Sequence, residues 1–212
     1  MTEQLFQNST LDDAVAALER DLLNDEGPRI STMRNYRFAI LPYRPEEEFR
    51  LRQHINTLAN RLRAAGWVVL SLSLQRLFLD RVRAMGAKDV EHLITREKGI
   101  YKRSPERALS YLRDKIAPHI EGPDGIAADV GRAIREFAAK HEDKAERTVA
   151  FVGRAGTLFP FFRTSALLKH IDGHTDNIPV VLLYPGLRLG MTALSFMGEV
   201  SADTDYRPRI YP

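Results

Sequence analysis

The stretch FVGRAGTLFPFFRTS, residues 151–165, holds two glycines, three hydroxyls and two arginines where an apolar run passes into a helical pattern. A strand, a glycine turn and a helix in that order form the plan of a phosphate-binding loop. In such a loop backbone amides wrap the phosphates, while a lysine and an adjacent Ser or Thr reach the terminal phosphate and magnesium. Gly153 and Gly156 are in place, but the lysine followed by Ser or Thr is missing. Pro160 also removes an amide, and Phe159, Phe161 and Phe162 crowd the same span with rings. The incomplete set argues against nucleotide triphosphate hydrolysis and for a tight strand-to-helix turn whose rings pack inward.

The second cluster with chemical potential is HIDGHTDN, which alternates His170, Asp172, His174 and Asp176. Alternate residues share a face of an extended chain, so a metal could be held there. Gly173 and the position between a helix and a strand suggest a polar surface turn instead, and no metal is expected. There is no Gly-x-Ser-x-Gly elbow, no His-Glu-x-x-His and no paired carboxylate motif, so no catalytic residue is assigned. With no cysteine in the sequence, a disulfide, a thiolate metal site and a cysteine nucleophile are all excluded.

The elements that must carry these residues follow from hydrophobic periodicity. Residues 9–24 place Leu11, Val15, Leu18 and Leu22 on one helical face behind Ser9 or Thr10 as a cap. YRFAILPY reads as a short buried strand ending at Pro42. The next helix has Pro45 in its first turn, a core face of Leu51, Ile55, Leu58 and Leu62, and a stop at Gly66. WVVLSLSL, residues 67–74, is the next strand, so residues 36–74 form a strand, helix, strand unit of the kind that pairs in parallel.

Residues 75–147 show no strand pattern and read as a helical insertion of three or four short helices. Strands resume at RTVAFVG and IPVVLLYPG, with ALSFMGEV as a further candidate. The expected fold is α/β: a single domain over 1–212 with a parallel, doubly wound, Rossmann-like sheet of about four to five strands flanked by helices.

In that fold PYRP, GRAG and YPG all lie at the carboxyl ends of strands, which share one edge of a parallel sheet. Arg44, Arg154, Arg163 and Arg188 would then converge on one crevice able to hold an anion or an acidic partner surface. The alternative is that they are four independently solvated side chains.

Charge gives a milder signal. The chain has 31 basic and 28 acidic residues, for a net charge of +3. Residues 96–115, REKGIYKRSPERALSYLRDK, concentrate seven basic residues with Tyr101 and Tyr111 interleaved, a pattern that could follow a phosphate backbone with the tyrosines stacking on bases. The three acids mixed in favour a solvated helical surface, and direct DNA contact is the lesser reading. The amino terminus lacks a basic region followed by an apolar run, and no apolar stretch approaches the roughly 20 residues needed to span a bilayer, so a soluble cytoplasmic protein is expected.

Several blocks together resemble the BrxB proteins of bacterial BREX (bacteriophage exclusion) systems. These are Leu41, Pro42 and Tyr43 leading into a helix; Gly153 and Gly156 followed by Phe159, Pro160, Phe161, Arg163, Leu167 and Leu168; Pro185 and Gly186 after a strand; and the closing Tyr206 and Arg207.

The resemblance implies a small non-catalytic component of a phage defence system. It would act as an adapter for a PglZ-type phosphatase-like protein, with a BrxC-type ATPase and a PglX-type adenine DNA methyltransferase as further members of the assembly. Partner- or anion-binding residues would be Arg44, Gly153, Arg154, Gly156, Thr157, Arg163, Thr164, Tyr206 and Arg207, and no cofactor is implied. The competing readings are a nucleotide- or anion-binding regulator or enzyme at the strand-end crevice, and a nucleic-acid-binding adapter. The segment from Tyr206 to Pro212 would either close the sheet edge or reach a neighbour.

Overall fold

The computed structural model describes residues 10–25, 27–30, 37–162, 167, 171, 175, 178–189, 193–199 and 208–212. Its first helix, α1, spans Leu11–Leu22 and starts at a capping box, in which the Thr10 hydroxyl accepts from the Asp13 amide while the Asp13 carboxylate accepts from the Thr10 amide. Strand β1 (Phe38–Tyr43) leads through a 3-10 turn, Pro45–Glu47, into α2 (Glu48–Ala64). The expected core face of α2 is buried at Leu51, Ile55, Leu58 and Leu62. Gly66, at φ +85°, turns the chain into β2 (Val68–Ser73).

Four helices fill the segment between β2 and the next strand: α3 (Leu74–Ala84), α4 (Ala87–Tyr101), α5 (Pro105–Ile120) and α6 (Ile126–Ala139). Then come β3 (Thr148–Gly153), a 3-10 turn at Ala155–Leu158, β4 (Val180–Leu189), β5 (Ala193–Phe196) and β6 (Arg209–Ile210).

The strand order is β2-β3-β4-β1-β6, parallel throughout, with β5 antiparallel to the outer half of β4. Alternate residues of the central strands feed two cores, because a parallel sheet covered on both sides must bury both faces. Ala39, Leu41, Phe151, Val181 and Leu183 pack with α1 and α2, whereas Ile40, Ala150, Val152, Val180 and Leu182 pack with the α3–α6 side. This is the doubly wound α/β fold. Leu167 and Ile171, between β3 and β4, are buried in the second core. Among the described residues no helix is long and apolar enough to cross a membrane.

The sheet has six strands rather than four to five: β5 falls on the candidate strand ALSFMGEV, and β6 is the addition. Residues 208–212 lie along β1: Ala39 and Ile40 pair with Arg209 and Ile210, and the Tyr211 amide donates to the Ile40 carbonyl at 2.9 Å. The Tyr211 hydroxyl donates to Asp21 at 2.9 Å, and Arg209 pairs with the same carboxylate at 2.6 Å, tying this strand to α1. This part of the chain therefore closes the β1 edge.

The β4–β5 hairpin corrects the expectation that Tyr184-Pro185-Gly186 lies at the carboxyl end of its strand. The parallel ladder does end there, with Tyr43 opposite Pro185, which has no amide to continue it. However, β4 runs on as one arm of a hairpin, Gly186 facing Phe196 and Arg188 facing Leu194. Only glycine allows that approach, since a Cβ at position 186 would lie 2.2 Å from the Ser195 carbonyl oxygen.

The long run of helices is latched by Arg81. Its guanidinium pairs with Asp129 of α6 and donates to the carbonyls of His119 at 2.8 Å and Gly125 at 2.9 Å, holding α3 against the α5–α6 turn.

Candidate functional site

At the carboxyl edge of the sheet, β1 delivers Tyr43, β3 delivers Arg154, and the first turns of α2 and α3 deliver Glu48 and Gln75. Each placement has a local cause. Pro45 and the acidic first turn start α2 just past Tyr43, and the Ser73 hydroxyl caps α3 by accepting from the Arg76 amide at 3.3 Å. Arg154 adopts the left-handed conformation, φ 64° and ψ 30°, which breaks β3 off and turns the chain into the 155–158 turn.

These four side chains form one network. Arg154 donates to Gln75 Oε1 from Nε at 3.2 Å and from Nη2 at 2.8 Å, and pairs with Glu48 Oε1 at 3.5 Å. The other Glu48 oxygen accepts from the Tyr43 hydroxyl. Tyr43 is 4% exposed, and its phenol is pushed well above its ordinary range, first by burial, then by the hydrogen bond to Glu48 and that carboxylate's charge. Arg154 is thus committed to holding β3 against α2 and α3, with a third of its side chain still reaching solvent.

The glycine loop is likewise closed by protein. The Thr157 amide and hydroxyl both donate to the Arg154 carbonyl, at 3.3 and 2.7 Å, and the Phe159 amide donates to the Gly156 carbonyl at 3.2 Å. A Cβ on Gly156 would meet Met197 Sδ at 3.2 Å and Pro185 Cγ at 3.4 Å, and one on Gly153 would meet Leu183 at 3.2 Å. The glycines therefore admit the β4–β5 hairpin and a β4 side chain at close range. The phenylalanines pack inward as expected: Phe159 lies edge-on to Phe196 with centroids 6.1 Å apart, Phe161 lies 5.8 Å from Phe78, and Phe162 is buried.

Of the residues singled out from sequence, Gly153, Arg154, Gly156 and Thr157 lie together in this loop, and Arg44 stands exposed at the start of the α2 turn. Arg44 has no ion pair among the described residues. Arg188 lies on the hairpin arm of β4, where partial burial lowers its pKa. Arg163, Thr164, Tyr206 and Arg207 lie outside the described residues, as do His170, Asp172, His174 and Asp176.

Sequence reasoning missed Tyr43, Glu48 and Gln75 as the partners that hold Arg154. It also missed Phe49, which at 69% exposure is the most exposed large apolar side chain among the described residues. A signal for Phe49 was present. The core face of α2 begins at Leu51, and a residue two positions earlier points roughly 200° away, so an aromatic there sits on the solvent face. Leu187, on the hairpin arm, is a further exposed apolar side chain, at 43%.

Comparison with known proteins sets this edge in a family. The family model described as "BREX protein BrxB" matches residues 70–210. The chain belongs to the BrxB family. The BrxB match runs from β2 through β6, so it includes the glycine loop, the hairpin and the edge strand, while Tyr43, Glu48 and Phe49 lie before it. A protein of Bacillus cereus (strain H3081.97), named BREX protein BrxB, is 25% identical over 178 residues, covering 80% of each chain. No solved structure matches.

Proposed function

We propose that this protein is a component of a BREX phage defence system and acts there as a non-catalytic, cytoplasmic adapter. In this reading its carboxyl strand edge docks a PglZ-type protein, which brings it into an assembly with the BrxC-type ATPase and the PglX-type methyltransferase. Membership of the BrxB family supports the system. The adapter role is supported by the edge itself: the loop with the plan of a phosphate site is packed under a hairpin, and its arginine is tied to Gln75 and Glu48.

The observation that carries the reading is Phe49. Aromatic side chains and arginine are enriched at protein interfaces and among their anchor residues. Phe49 stands five residues from the exposed Arg44, on a turn made rigid by the Tyr43–Glu48–Arg154–Gln75 network. A rigid base lowers the ordering cost of binding.

The test is co-expression with a PglZ-type protein of the same BREX system, followed by affinity capture and size-exclusion chromatography at low and moderate salt. The wild-type pair should co-elute. Phe49→Ala should weaken the complex by roughly 30-fold or more, the effect of losing about 2 kcal/mol at an interface anchor, with no drop in melting temperature. Separate elution of the wild-type proteins under both conditions would overturn the adapter reading. Co-elution that is insensitive to Phe49→Ala would move the interface away from this edge.

A further inference from the structure

We infer that the tip of the α4–α5 helical hairpin is a sequence-independent contact site for the phosphate backbone of double-stranded DNA. Residues 96–115 carry seven basic and three acidic side chains, a net +4 where the whole chain has +3, so the rest of the protein is slightly acidic. The positive charge of the molecule is thus concentrated in one helical hairpin.

The structure adds three things to the composition. First, all seven basic side chains are exposed: Lys98, Lys102, Arg103 and Arg107 around the tip, and the other three along the two arms. None has an ion pair among the described residues. Elsewhere arginines 50, 61, 81, 83, 132, 154 and 209 are paired with carboxylates, whereas this hairpin gathers seven basic side chains with no such pair among the described residues.

Second, the acids that could neutralise the tip are turned to other work or set aside. Glu106 accepts from the Ser104 hydroxyl at 2.9 Å within the α5 cap, Glu97 is half-buried, and Asp114 stands well down the α5 arm. Third, the tip adds nothing to the core. The hairpin is anchored further along by Leu93, Ile116 and Ile120, and residues 98–107 contribute no buried side chain. An exposed prong of like charge repels itself, and a polyanion lying against it relieves that repulsion.

The choice of duplex over single strand follows from the two tyrosines. Tyr101 is 57% exposed, but Tyr111 is half-buried and packs against the core, so there is no run of stacking platforms for unpaired bases. What remains is a set of point charges and guanidinium groups, which read phosphates rather than bases.

Fluorescence anisotropy of the full chain with a labelled duplex of about 30 base pairs and arbitrary sequence tests the inference. If four tip residues each neutralise one phosphate, log K should fall with log salt at a slope of about −3.6, or roughly 150-fold in affinity between 50 and 200 mM salt. The quadruple variant Lys98→Gln, Lys102→Gln, Arg103→Gln and Arg107→Gln should lose most of that slope, with an unchanged circular dichroism spectrum. Arg61→Gln on α2 should leave the slope intact. Absence of binding at 50 mM salt, or a slope unchanged in the quadruple variant, would overturn the inference. So would displacement of the duplex by polyglutamate at equal charge concentration, since that would mark the tip as a dock for acidic protein. None of these outcomes depends on the PglZ-type protein.

Discussion

Arg154 couples backbone strain to side-chain bonding, and replacing it with alanine or glycine separates the two. Both substitutions remove the hydrogen bonds to Gln75 and the 3.5 Å ion pair with Glu48. The Gln75 bonds share one acceptor and have a charged donor, and since the arginine is a third exposed, water recovers part of their value, leaving about 1–1.5 kcal/mol. The long, partly exposed ion pair adds at most about 1 kcal/mol. Alanine keeps a Cβ in the left-handed conformation at φ 64°, so the strain is unchanged and its cost should be about 1–2.5 kcal/mol. Glycine has no Cβ clash and should recover about 1 kcal/mol of that, net of its greater chain entropy.

For a chain of this size each kcal/mol moves the melting temperature by about 2–4 °C. Arg154→Ala should therefore melt about 2–10 °C below the wild type, and Arg154→Gly about 2–4 °C above Arg154→Ala. Urea unfolding monitored by circular dichroism should give the same ranking with unchanged m-values. Equal midpoints for the two variants, or a lower one for glycine, would refute the assignment of strain at this residue. Gln75→Ala combined with Arg154→Ala should cost less than the sum of the two, by at least about 0.5 kcal/mol, if the network is the source of the loss.

Two further outcomes follow from the same geometry. Gly186→Ala should cost more than about 3 kcal/mol or abolish soluble expression, because its Cβ would collide with the Ser195 carbonyl and the buried Tyr184 ring; Gly198→Ala, whose Cβ has no neighbour nearer than 3.9 Å, should cost only about 1 kcal/mol, and equal losses by thermal melting would argue against the hairpin geometry. Tyr43 and Tyr211 both have phenol pKa values raised above 10.0 by burial and by a carboxylate acceptor, so their contribution to stability is complete below about pH 10 and is lost as pH rises through the raised folded values; Tyr43→Phe combined with Tyr211→Phe should flatten the alkaline limb of a stability profile measured by urea unfolding.

Much of the architecture was legible along the chain because its causes are local. The Leu51, Ile55, Leu58, Leu62 stripe, the Thr10 cap, the Gly66 stop and the apolar runs of β1, β3 and β4 each act within one or two turns or one strand. Apolar runs long enough to be buried on both faces already imply a parallel sheet with helices on each side, and the alternating strand and helix pattern supplies the connections. The glycine loop without its lysine was equally a matter of residue identity, as was the concentration of basic residues at 96–115.

What the tertiary structure alone decided is where separated segments meet. Arg154 finds Gln75 and Glu48 across 79 and 106 residues, Tyr211 finds Asp21 across 190, and β6 takes the edge beside β1 although its two residues carry no strand pattern of their own. Gly186 looked like the end of a strand because the parallel ladder does end beside it, and only the return of β5 turned that glycine into the close-approach point of a hairpin. Periodicity records which side of an element is apolar. It holds no record of which polar group on one element faces which group on another, since that depends on strand order and on helix position across the sheet. Such pairings form only after the apolar faces have been buried, and they are where the chemistry of this edge lies.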